Sequence, residues 1–160
     1  QFYKAMQSFT GASKRLELVK ENKSSVIYKD FAHSPSKLKA TTKALSDQFP
    51  KRQLVACMEL HTFSSLNLTF LKLYKGTMEN ADMAFVYYNP DTIKHKKLDS
   101  ISSDDVLRAF YTDNVRVFTD SSLLVQELKS INWNNKNLLL MSSGNFDGLD
   151  FDNLSQELIG

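Results

Sequence analysis

Six short runs along the chain carry the pattern of β-strands, and helical periodicity fills the spaces between them. Leu16–Lys20 alternates apolar and polar residues, as a strand with one solvated face does. Asn22-Lys23-Ser24 supplies a turn and Val26–Asp30 follows, so the first two runs predict a hairpin. Leu54–Met58, Ala84–Tyr88, Val115–Phe118 and Leu138–Met141 are apolar at nearly every position, the mark of strands covered on both faces. Between them, Pro35–Gln48 predicts a helix with Ser34 as N-cap, Pro35 at the first helical position, and Leu38, Thr41, Leu45 and Phe49 on its inner face. Leu66–Met78 predicts a second helix, with Leu66, Phe70, Leu73 and Tyr74 facing inward. Ser103–Tyr111 opens on Asp104 and Asp105 at the positive end of the helix dipole and buries Val106, Leu107 and Phe110. Ser122–Ile131 and Asn153–Ile159 complete the set.

A hairpin followed by strictly alternating strands and helices predicts an α/β, Rossmann-like three-layer fold. Its sheet has six strands and is mostly parallel, with one antiparallel strand from the N-terminal hairpin and helices on both faces. With 160 residues, no internal repeat and no linker-like tract, residues 1–160 read as a single domain. Hydrophobic residues at 42% can fill its core. Twenty Lys and Arg against 18 Asp and Glu leave a charge of +2, which argues against a dedicated nucleic-acid or polybasic membrane protein. No run approaches the roughly 18 apolar residues of a membrane span. The single cysteine, Cys57, excludes an internal disulfide framework and fits a reducing compartment, the cytoplasm. The start, Gln1-Phe2-Tyr3-Lys4, has neither a signal-peptide pattern nor an initiator Met, and reads as the start of a fragment of a larger protein or of a processed chain.

In open α/β sheets ligands gather at the carboxyl ends of the strands, so chemistry is sought in the loops that leave those ends. Asp30-Phe31-Ala32-His33-Ser34-Pro35 places a carboxylate, an imidazole and a helix N-terminus within six residues. Asp30 there suits a ribose diol or, equally, a helix cap. Glu59–Asn67 is polar and long for such a connection; its His61 is a ligand contact or a hydrogen-bonded structural histidine. Ser142-Ser143-Gly144-Asn145-Phe146-Asp147-Gly148 carries two glycines in five residues, suited to an anion nest or an ordinary turn. Lys14-Arg15 just before the first strand can meet phosphate or ribose, or pair with Glu17. His95 lies in a Lys-His-Lys-Lys run that reads as a solvated basic loop. Asp30, His33, Glu59 and His61 end neighbouring strands but match no standard metal spacing. The sequence has no Gly-x-x-x-x-Gly-Lys-Ser/Thr phosphate loop, no Gly-x-Gly-x-x-Gly and no Gly-x-Ser-x-Gly.

Together these motifs resemble the C-terminal domain of the Mur ligases, ATP-dependent amide-bond-forming enzymes of peptidoglycan synthesis. Gly11–Glu17 is similar to the family's Gly-x-x-(Lys/Arg)-Arg-(Leu/Phe)-Glu opening, and Asp30–Pro35 to its Asp-(Tyr/Phe)-(Ala/Gly)-His-x-Pro signature. Within the family, Cys57–Asn67 and Met141–Leu149 resemble the murein peptide ligase branch, which joins L-alanyl-γ-D-glutamyl-meso-diaminopimelate to UDP-N-acetylmuramate. The Pro-His-Arg-Tyr-type loop usual in the UDP-N-acetylmuramate–L-alanine ligase is absent; Leu60–Ser65 also departs from the Pro-Arg-Ser-Asn-type loop frequent in the murein peptide branch.

The resemblance implies a third domain that closes over a central domain holding the ATP phosphates and Mg2+, with the N-terminal and central domains absent from this chain. It implies nucleotide contacts at Arg15, Asp30 and His33. It implies contacts with the incoming peptide at His61, Ser64, Ser143, Asn145 and Phe146. No catalytic residue and no metal ligand is expected on this chain, and the isolated chain is expected to be inactive and to bind ATP weakly. ATP, UDP-N-acetylmuramate, a murein peptide and the chain's own central domain are the expected partners, with no nucleic acid and no membrane. A free-standing nucleotide- or peptide-binding module, a metal hydrolase built on Asp30, His33, Glu59 and His61, and a receiver-like domain are the alternatives.

Overall fold

The computed structural model describes residues 16–160. In chain order these form β1 (Glu17–Glu21), β2 (Val26–Asp30), α1 (Pro35–Gln48), β3 (Gln53–Glu59), α2 (Leu68–Leu71), which runs into a 3-10 turn at Lys72–Tyr74, and β4 (Met83–Tyr87). Then come α3 (Pro90–His95), α4 (Ser103–Phe110), β5 (Val115–Phe118), α5 (Ser121–Ser130), β6 (Lys136–Met141) and α6 (Phe151–Ile159). One six-stranded sheet has the order β1-β2-β6-β3-β4-β5. Only β1 runs antiparallel, paired with β2; β2, β6, β3, β4 and β5 are mutually parallel. The expected architecture is the one observed.

The hairpin turns on Asn22, whose side-chain oxygen accepts the N–H groups of Ser24 (2.9 Å) and Ser25 (2.8 Å). The last strand lies in the middle: β6 inserts between β2 and β3, with Leu139 in register with Tyr28 on one side and Ala56 on the other. Alternation along the central strands feeds two cores. Tyr28, Ala56, Met58, Leu139 and Met141 pack under α1, α2 and α4; Ile27, Val55, Cys57, Leu138 and Leu140 pack under α5 and α6. This explains why these strands read as unbroken apolar runs, because each face has its own helical layer.

Burial pushes the Cys57 thiol far up from its ordinary range. The expected outcome is no reaction with an aromatic disulfide reagent at neutral pH in the folded protein, and one reactive thiol per chain after unfolding in denaturant.

Four local expectations differ from the structure. The segment predicted as a helix over Leu66–Met78 is a short helix and a 3-10 turn. The Asn67 side chain accepts the Phe70 N–H and starts the helix at Leu68, and Gly76, at φ 74°, lies where a right-handed helix cannot continue. A short helix, α3, occupies part of the Asn89–Lys97 loop; Asn89 caps it and Pro90 begins it, signals present in the sequence. On α1 the buried threonine is Thr42, its hydroxyl bonded to the Leu38 carbonyl (2.9 Å), while Thr41 is turned toward Asp30. Leu73 and Leu107, placed on inner faces by periodicity, are solvent-exposed.

Candidate functional site

The chain leaves β2 and β3 toward the layer of α1 and α2, and leaves β6, which lies between them, toward the layer of α6. Connections diverging from adjacent parallel strands open a crevice at their carboxyl ends. Three strand ends line up there: the Ser142 N–H donates to the Asp30 carbonyl (3.0 Å), and Met58 of β3 is in register with Met141 of β6.

Asp30 ends β2 and is buried. Its carboxylate accepts the Thr41 hydroxyl (3.1 Å) and the Ala32 N–H (3.3 Å). Neither Asp30 nor Ser34 caps α1 with its side chain, so the capping role open to both does not account for the carboxylate. Asp30, Phe31, Ser142, Gly144 and Phe146 line a cleft of about 220 Å³. The Glu17–Lys29 ion pair (3.3 Å), Leu140 and Phe151 also line it.

Beside the cleft, Glu59 ends β3 and is only 3% exposed. It accepts the Ser142 hydroxyl and the Phe146 N–H (2.9 Å), and its second oxygen lies 3.9 Å from His61 Nδ1. The loop after β6 wraps this carboxylate so closely that a Cβ on Gly144 would lie 2.9 Å from Glu59 Oε1 and 3.1 Å from the His61 ring. Glu59 is buried and held by two hydrogen bonds. Gly144→Ala is therefore expected to destabilise the fold by about 1–3 kcal/mol, read as a lower denaturant midpoint with an unchanged slope. An unchanged midpoint would show that the loop relaxes away. Phe146 and Asp147 are left-handed at φ 53° and 62°, followed by Gly148 at 82°. Burial, and then the charges of Asp147 and Glu59, push the Tyr87 phenol beneath this loop up to about 12.

The structure gathers most of the residues singled out in the sequence. Asp30 and the Ser142–Phe146 loop share the cleft, and Glu59 joins that loop to His61. The Ser143 hydroxyl oxygen is buried and finds no hydrogen-bond partner among the described residues. Asn145 is exposed, its side-chain oxygen accepting the Gly148 N–H (2.9 Å). Ser64 is exposed on the turn that leads to α2, away from the hydrogen bonds of Glu59. His33 turns back on its own loop, Nδ1 at 3.0 Å from the Phe31 carbonyl, while its own carbonyl accepts the Tyr74 hydroxyl. The side chain of Phe146 is wholly buried between Tyr87 and Phe151, so its contribution to the crevice passes through its backbone. Arg15, with Gly11–Lys14, lies outside the described residues.

The sequence offers Glu59 as a metal ligand, as part of a receiver-like acidic cluster, or as the first residue of the Glu59–Asn67 loop. Its signal was a lone carboxylate closing an otherwise apolar strand. Among the described residues no three His, Cys, Asp or Glu side chains gather into a group that could hold a metal ion; Asp30 is engaged with Thr41 of α1 and Glu59 with the loop after β6.

A mostly parallel sheet between two helical layers, with a crevice where the crossovers from β2, β6 and β3 diverge, gives the chain a Rossmann-like fold. The chain belongs to the Mur ligase family: the family model for the Mur ligase, glutamate ligase domain, matches residues 14–144. A UDP-N-acetylmuramate–L-alanine ligase of Cytophaga hutchinsonii is 26% identical over 129 residues, 81% of this chain and 27% of that protein. The same enzyme of Caldicellulosiruptor bescii is 37% identical over 82 residues, 51% of this chain and 18% of that protein. The chain thus matches less than a third of the length of these curated relatives. Among solved structures, a murein peptide ligase of Psychrobacter arcticus superposes with a TM-score of 0.70 at 17% identity, covering 91% of this chain and 30% of that one. A domain assigned to a UDP-N-acetylmuramate:L-alanyl-γ-D-glutamyl-meso-diaminopimelate ligase of Haemophilus ducreyi gives 0.62 at 23% identity, covering 91% and 97%. The likeness to these two structures is one of fold.

Proposed function

We propose that this chain is the third domain of an ATP-dependent ligase that joins an amine to the carboxylate of UDP-N-acetylmuramate in the cytoplasm. The observation that carries the reading is the crevice itself. Buried Asp30 and buried Glu59 flank the loop after β6, where the crossovers from β2, β6 and β3 diverge, in a chain of this family. In the proposed reaction the carboxylate takes the γ-phosphoryl group of ATP. The amine of the acceptor attacks the resulting acyl phosphate, its proton leaves, and the C–O bond to phosphate breaks as the amide forms. Mg2+, cationic side chains and backbone N–H groups of a central domain would hold the ATP phosphates. Asp30 accepts the ribose hydroxyls, with Arg15 and His33 near the nucleotide. A carboxylate there repels phosphate, which suits a ribose contact. The loops of His61, Ser64, Ser143, Asn145 and Phe146 form the acceptor side. The unpartnered Ser143 hydroxyl supports that assignment, since a buried donor without a partner costs about 1–3 kcal/mol that a bound ligand would recover. Closure of this domain on the central one brings acyl phosphate and amine together and keeps water out.

On the resemblance of Cys57–Asn67 and Met141–Leu149, the acceptor is a murein tripeptide. The curated relatives support a second reading, free L-alanine. A competition assay on the ligase containing this chain separates them, with tripeptide and L-alanine offered together and the amide products resolved by mass. The 160-residue chain alone is expected to release no phosphate from ATP in the presence of UDP-N-acetylmuramate and either acceptor. Steady turnover by the chain alone would refute the division of labour between domains.

A further inference from the structure

We propose that Glu59 is the positioning residue for the incoming amine. Its buried carboxylate fixes the Ser142–Gly148 loop in one conformation and so sets the geometry of the acceptor side of the crevice. The inference rests on the reading of that loop as the acceptor side and adds to it the group that controls it.

Three features converge on this carboxylate. The first is its bonding. Oε1 accepts from both the Ser142 hydroxyl and the Phe146 N–H, positions at the start and middle of the loop, while Oε2 faces His61 on the other candidate acceptor loop. One side chain therefore spans both loops. Secondly, the backbone needs such a hold. Phe146 and Asp147 occupy the left-handed region at φ 53° and 62°, which residues other than glycine adopt only when their surroundings hold them there. The Phe146 ring, packed against Tyr87 and Phe151, fixes the side-chain end of that residue, and Glu59 fixes its amide. Thirdly, the loop closes around the carboxylate with no spare room, since the missing Cβ of Gly144 would fall within 2.9 Å of Oε1. Ser143 and Asn145, the loop's candidate acceptor contacts, lie between the two residues that Glu59 binds. Releasing the carboxylate frees that stretch to shift, and misplacement of a reactant by about 1 Å costs on the order of 100-fold in rate.

Two measurements on Glu59→Met test this. Methionine keeps the length of the side chain but has no oxygen in place of Oε1, which accepts both the Ser142 hydroxyl and the Phe146 N–H. In the 160-residue chain, hydrogen exchange of the Phe146 amide is expected to accelerate about tenfold or more, while the amides of Leu139 and Leu140 in β6 keep their protection. Equal acceleration at all three sites, or none at Phe146, overturns the inference whatever the protein's activity. In the ligase containing this chain, the KM for the acceptor is expected to rise about tenfold or more, with the KM values for ATP and UDP-N-acetylmuramate within about twofold of the parent. A uniform change in all three constants, or an unchanged acceptor KM, also overturns it. If the parent ligase shows no activity with either acceptor, the functional reading fails, and the exchange measurement still decides whether Glu59 holds the loop. Glu59→Asp, which keeps the charge but shortens the reach, is expected to recover less than half of the lost acceptor affinity.

Discussion

Leu139→Ala is expected to lower the unfolding free energy by about 3–4 kcal/mol and the melting temperature by roughly 10 °C for a chain of this size. Leu139 has no exposed surface, sits at the middle of β6, and is flanked in register by Tyr28 of β2 and Ala56 of β3. Because one neighbour is already alanine, truncation leaves two small residues side by side under the α1 layer. The cost is the lost transfer energy of the removed carbons together with the cavity term, which is largest where the surroundings cannot collapse. Chemical denaturation followed by circular dichroism reads the effect. A loss below about 1 kcal/mol would contradict the placement of the last strand at the centre of the sheet.

Asp30→Ala in the ligase containing this chain is expected to reduce kcat/KM for ATP by about 10- to 100-fold, the range spanned by the loss of one or two hydrogen bonds to a charged acceptor. Asp30 lines the cleft, and its carboxylate is held by Thr41 and the Ala32 N–H, so its orientation is set before any ligand arrives. Truncation also leaves the Thr41 hydroxyl without that partner, so the melting temperature is measured alongside. Asp30→Asn keeps an oxygen for Thr41, isolates the charge, and is expected to show a smaller thermal effect with a similar kinetic one. Unchanged ATP kinetics in both variants would remove Asp30 from the nucleotide site.

The sequence made the layers legible and left the strand order open. Unbroken apolar runs such as Leu138–Met141 identify strands covered on both faces, but nothing in their periodicity says that the last of them inserts between β2 and β3. That placement is visible only in the folded chain. Helix limits failed where a single side chain or backbone angle decides them, as with the Asn67 cap and the left-handed Gly76. Asp30 was visible as a charged residue at a strand end beside a helix start. Glu59 stood out less, because its role depends on Ser142 and Phe146, more than 80 positions further along the chain. Phe146 shows the opposite error. An aromatic in a glycine-containing loop suggests a contact surface, whereas its ring fills the second core and its amide serves the crevice.

The central claim is that the crevice at the ends of β2, β6 and β3 is where this domain meets its ligands. Amide chemical shifts of the 160-residue chain, followed during titration with ADP and separately with murein tripeptide to millimolar concentrations, test it most directly. Weak binding suffices for this readout. The account predicts shifts confined to Asp30–Ser34 for the nucleotide, and to Glu59–Ser64 and Ser142–Asp147 for the peptide. Shifts clustered at the opposite end of the sheet, around Asn22–Ser25 and Trp133–Lys136, or no shifts with either ligand, would contradict it.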